Sequence, residues 1–199
     1  MNVDWYKIIL IMQRIKYGSN LQLKGIPVIL RRGGHIEIGN KVTVRSSFFS
    51  NLIGLYSRTV IVARGSGAFV RIGDGVGISG ATIYARKGIF IGNNTCIGGN
   101  CKILDNDFHP LDIKMRNEQL ADFAHGGDSE LIPAKEIWIG DNCFIGCNTI
   151  ILKGTKLGDG CVVGAGAVVS GCFDSNCVIA GNPARIVRYL TKEENGKNA

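Results

Sequence analysis

Residues 139–174 read IGDNCF IGCNTI ILKGTK LGDGCV VGAGAV VSGCFD, six units of six residues that follow one another without a gap. Every unit begins with an aliphatic residue, and most units carry a small residue at the fifth position. A unit this short cannot bury its apolar face alone, so it must stack on copies of itself, and such periods are typical of a β-helix. This stretch therefore predicts a β-helix.

Earlier segments follow the same rule, so the repeat covers most of residues 36–181. The pieces IGNK, IGDG, IGNN, IGDN and LGDG begin at Ile38, Ile72, Ile91, Ile139 and Leu157. Gly, Asn and Asp tolerate the positive φ angles of sharp turns, which makes these pieces candidate corners. Because Ile139 and Leu157 lie 18 residues apart, we predict that three units form one triangular coil around a narrow prism.

One interval breaks this period. Ile91 and Ile139 are 48 residues apart, thirty more than one coil, and the surplus is the segment of about 105–136. Loops of this length are uncommon in compact domains and are usually functional or disordered. We therefore predict a long loop extruded from the prism, and the polar run DNDFHP of residues 105–110 lies at its start.

Composition limits the classes of partner. The chain has 199 residues, a formal net charge of +7, 28 glycines and seven cysteines. No block of basic residues or basic-aromatic alternation indicates nucleic acid, so the charge favours phosphorylated small ligands. The cysteines form no C-x-x-C pair; three of them (Cys101, Cys143 and Cys161) occupy inward positions of the repeat, and free thiols in this number are typical of a reducing cytoplasm.

The sequence predicts one domain with distinct ends. In residues 1–17 apolar residues recur at helical spacing, whereas Gln13, Arg14 and Lys16 make this segment neither a signal peptide nor a membrane span. We predict an N-terminal helix that packs on the domain, with contact to a membrane surface as the alternative. The β-helix follows over 18–182, and we predict a C-terminal helix and tail over 183–199, with Pro183 at the helix start.

The segments WIGDNCFIG (138–146), VGAGAVV (163–169) and AGNPARIV (180–187) resemble the hexapeptide-repeat acyltransferase family. The opening helix followed by YGSNLQLKG (17–25) resembles the polysaccharide- and sugar-O-acetylating branch of that family. The resemblance covers most of the repeat. It implies a left-handed parallel β-helix, and so an all-β fold with a short helix at each end and an extruded loop. It also implies a homotrimer with active sites between subunits.

Acyl transfer to a hydroxyl needs a base, and histidine suits this role because it exchanges a proton near neutral pH. The resemblance implies that His109 is this base. Asp105 and Asp107 flank it, and we expect one of them to orient the imidazole, as the acid of a catalytic triad does. His125 lies in the same loop and is either an acceptor contact or an exposed loop residue, whereas His35 is predicted to be structural.

The resemblance further implies acetyl-CoA as co-substrate, without a metal. Residues implied to line its groove or meet its phosphates are Gly146, Cys147, Gly164, Ala165, Arg185 and Arg188. One departure concerns the Thr-Lys pair that relatives carry after the last coil, because this chain has Ser170 and Gly171 there. Lys153 or Lys156 is the candidate replacement for the missing cation.

The sequence thus predicts an acetyl-CoA-dependent O-acetyltransferase that acts in the cytoplasm on a hydroxyl of a sugar or surface-polysaccharide precursor. An N-acetyltransferase acting on an amino sugar is the first alternative. A zinc hydratase would need three histidine ligands, and the three histidines contain no close pair. A non-catalytic β-helix used for binding would not need the thirty-residue insertion.

Overall fold

The computed structural model describes residues 4–124 and 132–194, and its strands form three sheets. Sheet 1 contains β1 (Lys16–Tyr17), β4 (His35–Ile38), β7 (Phe69–Ile72), β10 (Gly88–Ile91), β13 (Ile137–Ile139), β16 (Lys156–Leu157) and β19 (Cys172–Phe173). Sheet 2 contains β2 (Gln22–Lys24), β5 (Thr43–Arg45), β8 (Gly77–Ser79), β11 (Cys96–Ile97), β14 (Phe144–Ile145), β17 (Val162–Val163), β20 (Cys177–Gly181) and β21 (Ala184–Tyr189). Sheet 3 contains β3 (Val28–Arg32), β6 (Val60–Arg64), β9 (Thr82–Ala85), β12 (Lys102–Leu104), β15 (Ile150–Leu152) and β18 (Val168–Val169).

The chain visits sheets 1, 2 and 3 in turn, and each coil stacks in parallel on the one before it. Residues 18 apart in the repeat are partners across adjacent strands: Ile139 with Leu157, Ile145 with Val163 and Ile151 with Val169. All six side chains are buried, and each contributes about 2 kcal/mol of hydrophobic stabilisation. The predicted left-handed parallel β-helix is confirmed.

The predicted corners are also present. The fourth residue of each corner piece has a positive φ, between 53° and 69°, which Gly and Asn adopt at little cost: Lys41, Gly75, Asn94, Asn142 and Gly160. The small residue after each corner points inward, and Thr95, Cys143 and Cys161 are buried there. The three cysteines predicted to face the core, including Cys101, are therefore buried thiols.

A ladder of polar side chains runs along the edge where sheet 1 meets sheet 2, which we call edge 1–2. The carboxylate or amide oxygen of one coil accepts a hydrogen bond from the backbone N–H of the previous coil. In each pair below, the first residue donates its backbone N–H to Oδ1 of the second, at 2.7 to 2.9 Å: Asn40 to Asp74, Asp74 to Asn93, Asn93 to Asp141, and Asp141 to Asp159. Corner N–H groups that the sheets leave unpaired are thereby satisfied.

The N-terminal helix α1 spans Tyr6–Met12, shorter than the predicted 1–17, and the β-helix already begins at Lys16. Tyr6 and Leu10 are buried, and the Tyr6 hydroxyl accepts a hydrogen bond from the Ile29 N–H at 3.2 Å. The helix therefore closes one end of the prism, as the helical spacing predicted. Neither α1 nor the later helix α2 (Ile113–Ala124) is long and apolar enough to cross a bilayer.

The predicted C-terminal helix is wrong. Residues 184–189 form β21, which folds back antiparallel on β20 with Arg185 opposite Ala180 and Arg188 opposite Val178. An extended strand is favoured because its N–H and C=O groups pair with the open edge of sheet 2, which a helix would leave exposed. The hairpin thus closes this edge of the last coil.

Two insertions leave the prism at different edges. The first insertion, residues 46–59, follows β5 at edge 2–3 (between sheets 2 and 3) and contains a 3₁₀ helix at Phe48–Ser50. The second insertion, residues 105–136, follows β12 at edge 3–1 (between sheets 3 and 1) and contains α2. It corresponds to the loop predicted from the 48-residue interval, and its position is the starting point for the candidate site.

Candidate active site

Asp105 anchors the second insertion to the prism. Its side chain is fully buried, and its carboxylate accepts hydrogen bonds from the backbone N–H groups of Arg86, Lys87 and Gly88 at 2.7 to 3.0 Å. The Asn106 amide donates a further bond at 3.0 Å. Burial raises the pKa of Asp105, and the surrounding N–H donors oppose that rise. The carboxylate thus fastens the foot of the insertion to the preceding coil.

A tight turn then presents His109. The Asn106 side-chain oxygen accepts a hydrogen bond from the Phe108 N–H at 3.0 Å, and Phe108 adopts a positive φ of 61°. The Phe108 ring lies 5.1 Å from the Tyr84 ring on sheet 3, and the His109 N–H donates to the Asp107 carbonyl at 2.7 Å. Ring packing holds Phe108, and backbone hydrogen bonds hold Phe108 and His109, so these contacts fix the position of His109.

The His109 ring is oriented by Gln119 on α2. Nδ1 of His109 lies 2.9 Å from Oε1 of Gln119, and Nε2 of the same amide donates to the Phe108 carbonyl at 2.7 Å. Because the amide nitrogen must face the carbonyl, the amide oxygen faces the imidazole, and Nδ1 is therefore the protonated nitrogen. In this tautomer of the neutral ring, Nε2 of His109 carries the lone pair that a general base requires.

The prediction that Asp105 or Asp107 orients His109 is contradicted by these contacts. Asp105 is occupied by backbone N–H groups, and the Asp107 carboxylate accepts from the Lys153 ammonium group at 2.6 Å. In residues 4–124 and 132–194, neither carboxylate is hydrogen-bonded to the imidazole. Gln119 lies ten residues beyond His109, and only the turn of α2 back towards the loop foot brings the two together, so spacing could not reveal it.

A groove of about 400 Å³ runs along edge 2–3 on the outer face of sheet 2. The four residues predicted to line a coenzyme groove all border it: Gly146, Cys147, Gly164 and Ala165. A side chain at position 146 would place its Cβ only 2.5 Å from the Ala165 nitrogen, so the coils approach each other here as only glycine permits. The close corners at Gly146 and Ala165 leave a narrow channel that runs beside their backbone.

The first insertion forms one wall of this groove. Asn51 and Ile53 border the groove, and Arg45 lies beside them at the end of β5. The insertion is held by the Asn100 amide, which donates to the Gly54 carbonyl at 3.0 Å, and by the Tyr56 hydroxyl, which bonds to Asn148 at 3.4 Å. Sequence reasoning missed this wall, although the interval from Ile38 to Ile72 is 34 residues instead of 18 and marks an insertion.

The cations predicted to meet coenzyme phosphates do not border the groove. Arg185 and Arg188 lie on β21, and Arg188 forms a two-pronged ion pair with Glu194 at 2.7 and 2.8 Å, which raises the pKa of Arg188. Lys153 pairs with Asp107, and Lys156 lies in sheet 1. Among the residues that the structure describes, the cation that borders the groove is Arg45.

The remaining histidines lie apart from His109. His35 is on β4, where its ring centroid is 6.2 Å from that of Phe69, and His125 lies outside the described residues. Over the two described ranges, no group of three or more His, Cys, Asp and Glu side chains is placed to hold a metal ion.

Comparison with known proteins supports an acyltransferase class. A family model described as the hexapeptide repeat of succinyl-transferase matches residues 136–170. The putative lipopolysaccharide biosynthesis O-acetyl transferase WbbJ of Escherichia coli is 27% identical over 183 residues, 92% of this chain and 86% of WbbJ. A putative acetyltransferase of Schizosaccharomyces pombe is 38% identical over 105 residues, 53% of this chain, and this chain matches about half of that relative's length, 45%.

Solved structures share the fold. A variant of the N-acyltransferase AntD from Bacillus cereus, in complex with dTDP-4-amino-4,6-dideoxyglucose and coenzyme A, gives a TM-score of 0.69 at 16% identity and covers 96% of this chain and 91% of AntD. A galactoside acetyltransferase in complex with coenzyme A gives a TM-score of 0.53 at 20% identity, with 97% and 74% covered.

The fold and the site define a parallel β-helix protein with a groove along one edge and a histidine at the foot of an insertion, and the solved neighbours share the β-helix fold. The repeat, the matched model and the relatives make the comparison narrower: the chain is similar to hexapeptide-repeat acyltransferases.

Proposed function

We propose that the protein transfers an acetyl group from acetyl-CoA to a hydroxyl of a sugar or surface-polysaccharide precursor. The observation that carries this proposal is the His109–Gln119 pair, which directs the Nδ1–H of His109 to Gln119 and leaves Nε2 as the ring nitrogen available to act as the base, on a loop that is fixed to the prism. The relative WbbJ, matched over 92% of this chain, is named as a lipopolysaccharide O-acetyl transferase and supports this choice of acceptor.

In the proposed reaction, Nε2 of His109 takes the proton of the acceptor hydroxyl as its oxygen attacks the thioester carbonyl. The carbonyl oxygen becomes negatively charged, and backbone N–H groups stabilise it. When the carbon–sulfur bond breaks, the coenzyme thiolate leaves and receives the proton from the imidazolium. The ring returns to its starting state, and no other residue changes its protonation.

The groove at edge 2–3 is the proposed site for acetyl-CoA. Its close-packed glycine corners suit a thin pantetheine arm, whose amides would pair with exposed main-chain groups of the corners. Arg45 is the proposed partner for a phosphate, in place of Arg185 and Arg188. Two of the structural neighbours were solved with coenzyme A, which is consistent with this use of the fold.

A neighbouring subunit completes the proposed site. His109 leaves the prism at edge 3–1, whereas the groove follows edge 2–3, so one chain presents the base and the groove on different edges. The first insertion exposes large apolar side chains suited to burial between subunits: Phe48, Phe49, Leu52, Ile53 and Tyr56. We propose a homotrimer in which His109 of one chain meets the groove of the next.

An amine acceptor is the second candidate, because the AntD neighbour was solved with an amino sugar nucleotide. The test is to incubate the protein with labelled acetyl-CoA and a panel of neutral sugars, amino sugars, sugar phosphates and nucleotide sugars. Label in an ester, cleaved by mild base, supports O-transfer, and label in an amide supports the alternative. His109→Ala is the control, and full turnover by this variant would overturn the mechanism.

Helix α1 supports a proposed contact with a membrane surface. Trp5, which precedes the helix, and Ile8, Ile11 and Met12 on it are each more than half exposed. Co-sedimentation with vesicles that contain anionic lipid is the test. Ile8→Ser should reduce the bound fraction, and equal binding by this variant would contradict the contact.

A further inference from the structure

Lys153 lies on the coil that stacks directly on the foot of the second insertion. Leu104 and Leu152 are register partners at the ends of β12 and β15, and Lys153 is the first residue after β15. The insertion begins at Asp105, the first residue after β12. Because the two strands are paired in register, about 4.8 Å apart, the Lys153 side chain starts one strand spacing from the point where the chain leaves the prism.

An ion pair between Lys153 and Asp107 uses this proximity. Nζ of Lys153 donates to Oδ1 of Asp107 at 2.6 Å, and the two side chains are only 30% and 27% exposed. A charge-assisted hydrogen bond that is partly shielded from water is stronger than an ion pair on an open surface. The pair therefore ties Asp107 to the wall of the prism.

The backbone of Asp107 in turn holds His109. The Asp107 carbonyl accepts a hydrogen bond from the His109 N–H at 2.7 Å, and the Asp107 N–H donates to the Pro133 carbonyl at 3.1 Å. Asp107 thus contacts the proposed base, the returning end of the insertion and the next coil. A displacement of Asp107 moves the backbone of His109, and with it the contact between Nδ1 and Gln119.

The returning end of the insertion has its own backbone bonds. The Lys135 N–H donates to the Asp105 carbonyl at 2.8 Å, and the Gly154 N–H donates to the Lys135 carbonyl at 3.2 Å. Neither bond uses the side chain of Lys153. Removing that side chain therefore loosens Asp107 while the insertion stays attached to the prism.

We propose that Lys153 is a positioning residue for the proposed base. Through Asp107 it holds His109 in the orientation in which Nδ1 faces Gln119 and Nε2 is presented to the acceptor hydroxyl. The inference rests on the proposed acetyl transfer and adds to it a residue that touches neither substrate. Loss of the ammonium group slows the chemical step and leaves acetyl-CoA binding unchanged, because the groove follows edge 2–3 and this ion pair lies at edge 3–1.

The kinetic test compares Lys153→Met with the full-length wild type. Methionine keeps an apolar stem of similar length but donates no hydrogen bond to the carboxylate. We expect kcat to fall roughly tenfold, with an unchanged KM for acetyl-CoA, because a small misplacement of a reacting group causes a loss of this size. Lys153→Arg keeps the cation and should retain most of the rate. Lys16→Met is the matched control, since this lysine also pairs with a carboxylate, that of Glu37 at 3.1 Å, but lies on β1 in the first coil.

Asp107→Asn breaks the same ion pair from its other side with almost no change in size. If Lys153 acts through Asp107, the double variant Asp107→Asn/Lys153→Met should lose no more rate than either single variant. Should Lys153→Met fail to fold, Asp107→Asn is judged by the same measurements.

Nuclear magnetic resonance of protein with ¹⁵N-labelled histidine provides a readout that a loss of stability alone does not move. The His109 signals are identified by their absence from His109→Ala. At about pH 8.5, where an unperturbed imidazole is neutral, we expect the wild type to show the Nδ1–H tautomer and Lys153→Met to show a mixture of the two tautomers.

Four results would overturn the positioning role: wild-type kcat in Lys153→Met, an equal loss in Lys16→Met, additive losses in the double variant, or the same His109 tautomer with and without the Lys153 ammonium. The proposed reaction is judged separately. If His109→Ala keeps full turnover while the His109 tautomer still depends on Lys153, the reaction mechanism fails and the positioning role stands. If turnover requires His109 but neither kcat nor the tautomer responds to Lys153→Met, the positioning role fails and the reaction stands.

Discussion

The Gln119 side chain accepts a hydrogen bond from Nδ1 of His109 while its own amide nitrogen donates to the Phe108 carbonyl. A neutral amide orients the imidazole without adding a negative charge beside it. Removing the orienting oxygen allows the ring to turn and to adopt the wrong tautomer. We expect Gln119→Ala to lower kcat roughly 10- to 100-fold, with little change in the KM for acetyl-CoA.

Gln119→Glu provides the complementary test. A carboxylate beside Nδ1 stabilises the imidazolium, so the acid limb of the rate profile should move to higher pH while the limiting rate is largely retained. The measurement is kcat/KM from pH 5 to 9. A profile identical to that of the wild type would show that Gln119 does not contact the reacting histidine.

Asp105 is predicted to act in folding and not in proton transfer. Asp105→Ala leaves the N–H groups of residues 86–88 buried without an acceptor, which should lower the free energy of unfolding by roughly 2–4 kcal/mol. Asp105→Asn keeps one acceptor oxygen and should lose less. Urea denaturation measures both variants, and a stable Asp105→Ala protein that has lost turnover would instead assign the carboxylate to catalysis.

The thiols give a direct test of the groove. Cys96 and Cys147 border it, whereas Cys172 is exposed on sheet 1. Burial raises the pKa of Cys101 to about 11, so this thiol stays protonated at pH 8 and should resist alkylation. We expect iodoacetamide to label Cys96, Cys147 and Cys172, and acetyl-CoA to protect the first two.

Mass spectrometry of the digested protein reads each site. Cys172 is the internal control, because it should be labelled at the same rate with and without acetyl-CoA. Equal labelling of Cys147 under both conditions would place the coenzyme elsewhere.

Gly146 tests the close approach of the coils. A methyl group at this position meets the Ala165 backbone nitrogen, so Gly146→Ala should push the corners apart, cost roughly 1–3 kcal/mol of stability and weaken acetyl-CoA binding. Gly67→Ala is the matched control, since its Cβ would meet no atom within 4 Å. Equal coenzyme affinity in the two variants would exclude this corner from the binding site.

The first insertion tests the assembly. Phe49 and Leu52 are 87% and 82% exposed, and a charge at either position would oppose burial between subunits. We expect Phe49→Glu to shift the protein from trimer to monomer in light scattering and to abolish turnover. Met12→Glu, a comparably exposed position on α1, should leave the mass unchanged. A wild-type monomer that is active would refute the shared site.

The period of the repeat predicted the coil, the inward residues and the second insertion, because each depends on local spacing alone. The corners were predictable for the same reason, since only a few residue types adopt positive φ cheaply. Contacts that depend on the path of the chain through an insertion or across coils were not predictable. Gln119 reaches His109 only through the path of α2, and Lys153 reaches Asp107 across 46 residues.

The C-terminal strand was mispredicted for a related reason. Pro183 suggested a helix start, but the open hydrogen-bonding edge of β20 decides the conformation of residues 184–189, and that edge exists only in the folded protein. The first insertion was overlooked although its interval was readable, because its sequence contains no residues of obvious chemistry.

Each edge of the prism is assembled from its own corners, and the polar ladder holds edge 1–2 closed while edges 2–3 and 3–1 each release an insertion. Lengthening one insertion does not alter the register of any coil, since the strands on both sides stay paired. Under the proposed function, acetyl-CoA binding at edge 2–3 and acceptor selection by the second insertion at edge 3–1 can therefore change independently on the same β-helix. A lineage that changed residues 105–136 would acquire new acceptors while inheriting its coenzyme groove intact.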